Sequence, residues 1–279
     1  MKTIFGLLAL IATLSAAQSA SYSYTAQNQW PGICITGNTG RQSPIDIKIN
    51  DTSIDYNLTA LEFDTQYSSK INGNFKNTGN NVEFNPDPSV NVELTTPVGN
   101  YSLKHVQFHW GTSTGEGTEH LVDGIAEEFE AHFVHEKVGG TNASAGDALA
   151  VVAVRGKVSN HSIEGIFDEL DASLITKVGT SIDVDILLSN LFPQNGDYYF
   201  YEGSLTTPNC DETVQWFVLS ESIKVPQSYL DDLRKIEKDQ SGNLLTFNFR
   251  KTQSLNSRQV LSYEGVLQNL RRIIIRPGK

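Results

Sequence analysis

Apolar and polar residues alternate in short runs along much of the chain, and the repeat is two. The runs NNVEF, SVNVELTT, SLKHVQFHW, EEFEAHFVH, ALAVVAV and TVQWFVL are each bounded by Gly, Pro, Asn or Ser, which predicts strands separated by turns. Two stretches carry the helical repeat instead. SIEGIFDELDASL sets Ile163, Phe167, Leu170 and Leu174 along one face, and SYLDDLRKIEKD does the same with Leu230, Leu233 and Ile236 behind an N-cap at Ser228. Many strands with a few short helices predict a mainly β protein built on one large central sheet.

The first residues break this pattern. MKTIFGLLALIATLSAAQSA has one lysine, an apolar run from Ile4 to Leu14 and small residues between Ala16 and Ala20, which reads as a secretory leader over residues 1–20. The run is too short to span a bilayer, where about 20 residues are needed. Residues 21–279 contain no linker, repeat or low-complexity tract, so a single domain is expected there.

The balance of 21 basic against 32 acidic residues gives a formal charge of -11. That charge argues against nucleic acid and anionic membrane as partners. Only Cys34 and Cys210 occur. In an exported protein an even count is expected to pair, with two free thiols as the alternative. Sequons at Asn50, Asn57, Asn100, Asn142 and Asn160 agree with an exported glycoprotein if the source is eukaryotic.

Candidate chemistry concentrates in LKHVQFHWG. On a strand, His105, Gln107 and His109 leave the same face, which is how a strand presents metal ligands. Gln is an odd member, because a neutral amide oxygen is a weaker zinc donor than imidazole or thiolate. In EFEAHFVH the alternation puts Glu130, His132 and Val134 on one face and Phe133 and His135 on the other. His109 and His132 then point into a common space from neighbouring strands. Spacing alone leaves two readings open, a hydrogen-bonded core pair and a pair of metal ligands.

RQSPIDI at 41–47, QFHWG at 107–111, TEHLVDG at 118–124, EAHFVH at 130–135, YEGSLTTP at 201–208 and LNSRQV at 255–260 follow one another as the signatures of the α-class carbonic anhydrases do. The chain resembles that family over nearly its whole length after the leader. The resemblance implies a single domain on a ten-stranded, mostly antiparallel twisted sheet with a few short surface helices, and a conical cavity opening onto a zinc ion. Carbon dioxide and bicarbonate are the implied substrate pair, and protein partners are unspecified. Cys34 and Cys210 match the disulfide of exported members.

Position by position, His109 matches the second zinc ligand and His132 the third. Gln107 stands where the family has its first histidine, so the implied His₃ site becomes Gln, His, His, and zinc affinity is expected to be weakened. His105 does not replace the lost ligand. Four residues of unbulged strand place it about 13 Å from His109, whereas a Zn–N bond is about 2 Å, so it stands beside the ligands. Thr206 and Glu119 match the pair that orients the attacking oxygen, and Glu130 matches the carboxylate that fixes the third ligand's tautomer. Val134, Val151, Leu205 and Trp216 match the apolar wall of the substrate pocket, with Thr207 and Tyr24 on its polar side. The family's proton-shuttling histidine falls on Asn80, whose amide does not titrate. His120 and His135 match buried structural histidines, and His161 lies in a segment expected at the surface. The implied activity is zinc-dependent hydration of carbon dioxide at reduced rate; the alternative is a catalytically silent binding, matrix or storage relative.

Overall fold

The structure, a computed structural model, describes residues 22–35, 40–159 and 165–265. The expected leader, His161 and the sequon at Asn160 lie outside the described residues. The strands in chain order are β1 (Asp46–Ile47), β2 (Ser53–Ile54), β3 (Glu62–Phe63), β4 (Lys70–Asn77), β5 (Val82–Pro86), β6 (Glu93–Thr96), β7 (Gly99–Trp110) and β8 (Leu121–Val122). They continue with β9 (Phe129–Lys137), β10 (Leu149–Val158), β11 (Ser181–Leu187), β12 (Tyr198–Gly203), β13 (Val214–Leu219), β14 (Ile223–Val225) and β15 (Leu261–Tyr263).

Thirteen of these form one sheet whose main path runs β11-β4-β5-β7-β9-β10-β13-β12-β15-β2. That path has ten strands, as the resemblance implied. Pairing is antiparallel except where β10 meets β13 and β14 and where β15 meets β2. Every run read as a strand from its alternation contains one.

The repeat of two sorts the strand residues between two apolar clusters. Phe75, Phe84, Phe108, Trp110, Phe129 and Phe133 belong to the larger, while Val134, Val151, Val214 and Trp216 join Ile45 and Ile47 in the smaller. Each fully buried large side chain contributes roughly 1.5–3 kcal/mol of transfer free energy. Among the described residues no helix is long and apolar enough to cross a membrane.

The helices are shorter than their period predicts. Among the described residues of the first stretch, which leave out Ile163, only Ile166–Glu169 (α1) is α-helical; Asp171 then accepts from the Ser173 N–H at 2.9 Å and starts a separate 3-10 turn, Ala172–Ile175. A local side-chain bond of this kind competes with helix continuation, and Leu174 is left 59 % exposed. In the second stretch α2 (Gln227–Leu233) is capped at Pro226, not at Ser228, which lies inside the first turn. Leu230, Leu233 and Ile236 are buried as the spacing predicts.

Cys34 and Cys210 are bonded, closing a sequence separation of 176. Around the bridge the Ile33 N–H donates to the Asn209 carbonyl, and Gln42 Nε2 donates to the Cys210 carbonyl at 3.1 Å. The four described sequon asparagines, Asn50, Asn57, Asn100 and Asn142, are exposed.

Candidate metal centre

The site is built where β7 lies against β9. Gln107 pairs with His132 and His109 with Glu130, and directly opposed residues of an antiparallel pair share a face. A register irregularity does occur in β7, between Leu103 and His105. It precedes His105, so the run from His105 to His109 stays in register and the spacing argument against His105 as a ligand is unaffected.

The tautomers follow from the partners. His109 Nδ1 lies 2.8 Å from the Asn248 carbonyl, which can only accept, so Nδ1 carries the proton and Nε2 keeps its lone pair. That Nε2 is buried and has no hydrogen-bond partner. His132 Nε2 lies 2.7 Å from Glu130 Oε1, so it donates and the lone pair is on Nδ1. The two rings are 4.4 Å apart between centroids, and His109, Glu119 and His132 each bring a ligand atom within 4.8 Å of the other two.

Glu130 anchors a second layer. Its Oε1 also receives His120 Nδ1 at 2.6 Å and its Oε2 the His120 N–H at 2.9 Å; His120 Nε2 meets the Tyr201 hydroxyl at 2.7 Å. Burial opposes ionisation of Glu130, but the electrostatic pull of the His120 and His132 rings and the N–H groups they point at it hold its carboxyl well below the usual range. An ionised Glu130 that accepts from His132 Nε2 fixes the ring so that Nδ1 faces the site, and makes that nitrogen the stronger donor.

Glu119 reaches the site on the loop after β7. Gly117 lets that loop close: at φ +146 a Cβ there would sit 2.1 Å from the Glu128 carbonyl oxygen. Glu119 Oε1 accepts the Arg250 N–H at 2.7 Å, while Oε2 is buried without a partner and lies 3.8 Å from His132 Nδ1. The Thr206 hydroxyl faces this carboxylate but closes no bond of normal geometry. Burial pushes Glu119 up to about 7 against the opposing pull of His132 and Thr206. Burial also lowers His109 to about 3 and, with Lys104 and His132, His105 to about 4.

The residues expected to form the apolar wall are neighbours in the fold. Val134, Val151 and Trp216 are successive register partners across β9, β10 and β13, and Leu205 packs on them. Tyr24 and Asn80 line one recess of about 260 Å³ with Tyr22, Lys238 and Phe247. Thr207 is half-buried beside the buried Thr206. His135 faces the other way, bonding the Tyr67 hydroxyl and the Ala150 carbonyl. A separate apolar recess of about 420 Å³, lined by Phe63, Tyr67, Phe192 and Leu219, shares no residue with the site.

Three residues were not singled out from the sequence. Asn248 orients His109, Arg250 holds Glu119 through its backbone, and Asn81 donates to Gln107 Oε1 at 3.2 Å. No periodic signal marks any of them, because their partners lie on other strands and loops.

Leaving a buried polar group unpaired costs about 1–3 kcal/mol. His109 Nε2, Glu119 Oε2 and Thr206 Oγ1 are all in that state at one place, beside a second imidazole lone pair on His132. Two imidazole nitrogens with a nearby carboxylate suit zinc, so the donor set fits that ion.

A model of the eukaryotic-type carbonic anhydrases matches residues 25–264. The chain belongs to the carbonic anhydrase family. It is 32% identical to carbonic anhydrase 6 of Mus musculus, with 91% of this chain and 86% of the relative aligned. To carbonic anhydrase 4 of Rattus norvegicus it is 30% identical over 93% and 90% of the two chains, and to carbonic anhydrase 1 of Monodelphis domestica 31% identical over 86% and 97%.

Proposed function

We propose that the protein is an exported, zinc-dependent catalyst of the reversible hydration of carbon dioxide to bicarbonate and a proton, working below the rate of a His₃ site. The observation that carries this reading is the pair of oriented imidazoles, His109 and His132, next to the unpartnered Glu119 and Thr206 oxygens. Family membership supports it, and the disulfide agrees with export.

His109 and His132 would hold the metal, with Asn248 and Glu130 fixing their tautomers. When bound, zinc supplies a Lewis acid that makes a nucleophile of water near neutral pH. Thr206, with its proton directed to Glu119, accepts a hydrogen bond from the nucleophilic oxygen and aims it at the substrate carbon. Val134, Val151, Leu205 and Trp216 offer carbon dioxide an apolar surface. Asn80 cannot relay the released proton, so it leaves through solvent or buffer.

Gln107 favours the second reading, a relative that folds alike and binds without catalysis, because its amide lies against His132. Zinc content of the purified protein and stopped-flow hydration by the wild type and Gln107→His separate the two. Stoichiometric zinc with hydration above the uncatalysed rate is expected. A zinc-loaded Gln107→His variant without activity would replace the catalytic reading by the binding one.

A further inference from the structure

Gln107 is held in one amide orientation by groups whose polarity is fixed. The backbone N–H groups of Val82 and Phe108 donate to Asn81 Oδ1 at 2.7 and 3.3 Å; a backbone N–H can only donate, so this atom is the oxygen and Asn81 Nδ2 is a donor. Asn248 Nδ2 reaches the same oxygen at 3.3 Å. Its own orientation is fixed in turn, since Asn248 Oδ1 accepts the Trp110 N–H at 2.8 Å and Nδ2 donates to the Phe108 carbonyl at 2.8 Å. Asn81 Nδ2 therefore meets the oxygen of Gln107, at 3.2 Å. The Gln107 NH₂ is left pointing at His132 Nδ1, 3.5 Å away.

His132 Nδ1 is the nitrogen with the free lone pair, because Nε2 donates to Glu130. An NH₂ group facing it is a donor where a metal ligand would have to present an acceptor.

We propose that Asn81 and Gln107 form a latch on the metal centre: Asn81 holds the amide oxygen away, and the amide nitrogen caps the His132 lone pair until metal displaces it. The inference rests on the reading of His109 and His132 as a metal pair and deepens it. Gln107 is then a competitor of the ion, and Asn81 is a positioning residue that sets zinc affinity without touching zinc.

Two substitutions give opposite signs to the latch and to a ligating Gln107. Asn81→Asp keeps an oxygen for the Val82 and Phe108 N–H groups and offers a second oxygen to the Gln107 NH₂, which turns the amide oxygen toward the site. Gln107→Leu removes the amide at similar volume. Zinc Kd is measured on the full-length protein by competition with a chromophoric chelator, with zinc alone as the probe.

The latch predicts tightening by about tenfold for Asn81→Asp, within the range seen when groups around a metal site are altered. It also predicts Gln107→Leu binding at least as tight as wild type. Added negative charge at position 81 could attract zinc by itself, so Asn81→Asp is repeated in the Gln107→Leu background, where the latch predicts that the gain vanishes. The same gain in both backgrounds, or a fivefold weakening by Gln107→Leu, overturns the proposal. Should no variant take up zinc, the metal reading falls separately, and the latch is read from the ¹⁵N resonance of His132 Nδ1 in the metal-free protein. That resonance must move on Gln107→Leu; an unmoved resonance overturns the latch as well.

Discussion

The bond between Cys34 and Cys210 offers the most quantitative test of how the fold supports the site. Cross-linking removes loop-closure entropy from the unfolded chain, and for the separation of 176 residues the chain-entropy relation gives a ceiling of about 5 kcal/mol at 25 °C. Measured effects usually run lower, about 2–4 kcal/mol. The native state has other ties at this place: Gln42 to the Cys210 carbonyl at 3.1 Å and Arg250 Nη2 to the Cys34 carbonyl at 3.0 Å. The double variant Cys34→Ser, Cys210→Ser is therefore expected to keep its fold and to lose stability through the unfolded state. At about 2–4 °C per kcal/mol for a chain of this size, Tm should drop by roughly 5–15 °C. Urea unfolding followed by far-UV circular dichroism checks the free energy directly, with oxidised wild type as the reference. A loss under about 1 kcal/mol would refute the loop-entropy argument. Arg250 gives a second readout, since its side chain holds Cys34 while its backbone N–H holds Glu119: zinc Kd should move little if those bonds persist.

Thr206→Val in the zinc-loaded protein should lower kcat/KM by about 10²-fold, the usual cost of losing one oriented hydrogen-bonding group at a reacting oxygen, with zinc Kd unchanged; a stopped-flow change under threefold would remove Thr206 from the role given it. Asn80→His should raise kcat at low buffer and flatten its dependence on buffer concentration, because an imidazole titrates near neutral pH and an amide does not; identical buffer curves for the two proteins would contradict this. Stability of the metal-free protein should fall as pH drops from about 6.5 towards 4. His135 and His105 are lowered to about 4 and His109 to about 3 in the fold, each chiefly by burial, so below the unfolded histidine pKa the unfolded chain binds protons that the folded chain refuses. Glu119, raised to about 7, and Glu83, raised chiefly by burial, bind protons in the fold above their unfolded pKa and oppose the trend with two groups against three. Urea midpoints at pH 7, 6, 5 and 4 that rise or stay level would refute the sign.

The strands carrying the site were legible because they are buried on both faces or alternate cleanly, as in SLKHVQFHW and ALAVVAV. Within such a strand the repeat of two fixes which residues share a face, and pairing Gln107 with His132 across β7 and β9 needed only that repeat. β4 was not legible: KINGNFKN has the composition of a loop, and it is a strand because β5 and β11 pair with it on either side. The first helix stopped early for a comparable reason, since Asp171 found a local N–H that the apolar spacing does not reveal. Groups that orient His109 and Glu119 were also hidden. Asn248 lies 139 residues from His109, and Arg250 lies 131 from Glu119.

Gln107 shows why residue type and residue role separate at this site. As a letter in the sequence it is a weak ligand, because an amide oxygen donates less to zinc than an imidazole nitrogen. Which end of the amide faces His132 is decided elsewhere: two backbone N–H groups choose the oxygen of Asn81, Asn81 then chooses the oxygen of Gln107, and the nitrogen is what remains for His132. Each choice follows from the rule that a backbone N–H donates and a carbonyl accepts. The chain runs through β5, β7 and β9, so it exists only once those strands are paired. A glutamine at position 107 therefore has no single consequence for the proposed metal site. With an acceptor at position 81 the same residue would present its oxygen, and affinity would be set by a side chain that never meets the ion.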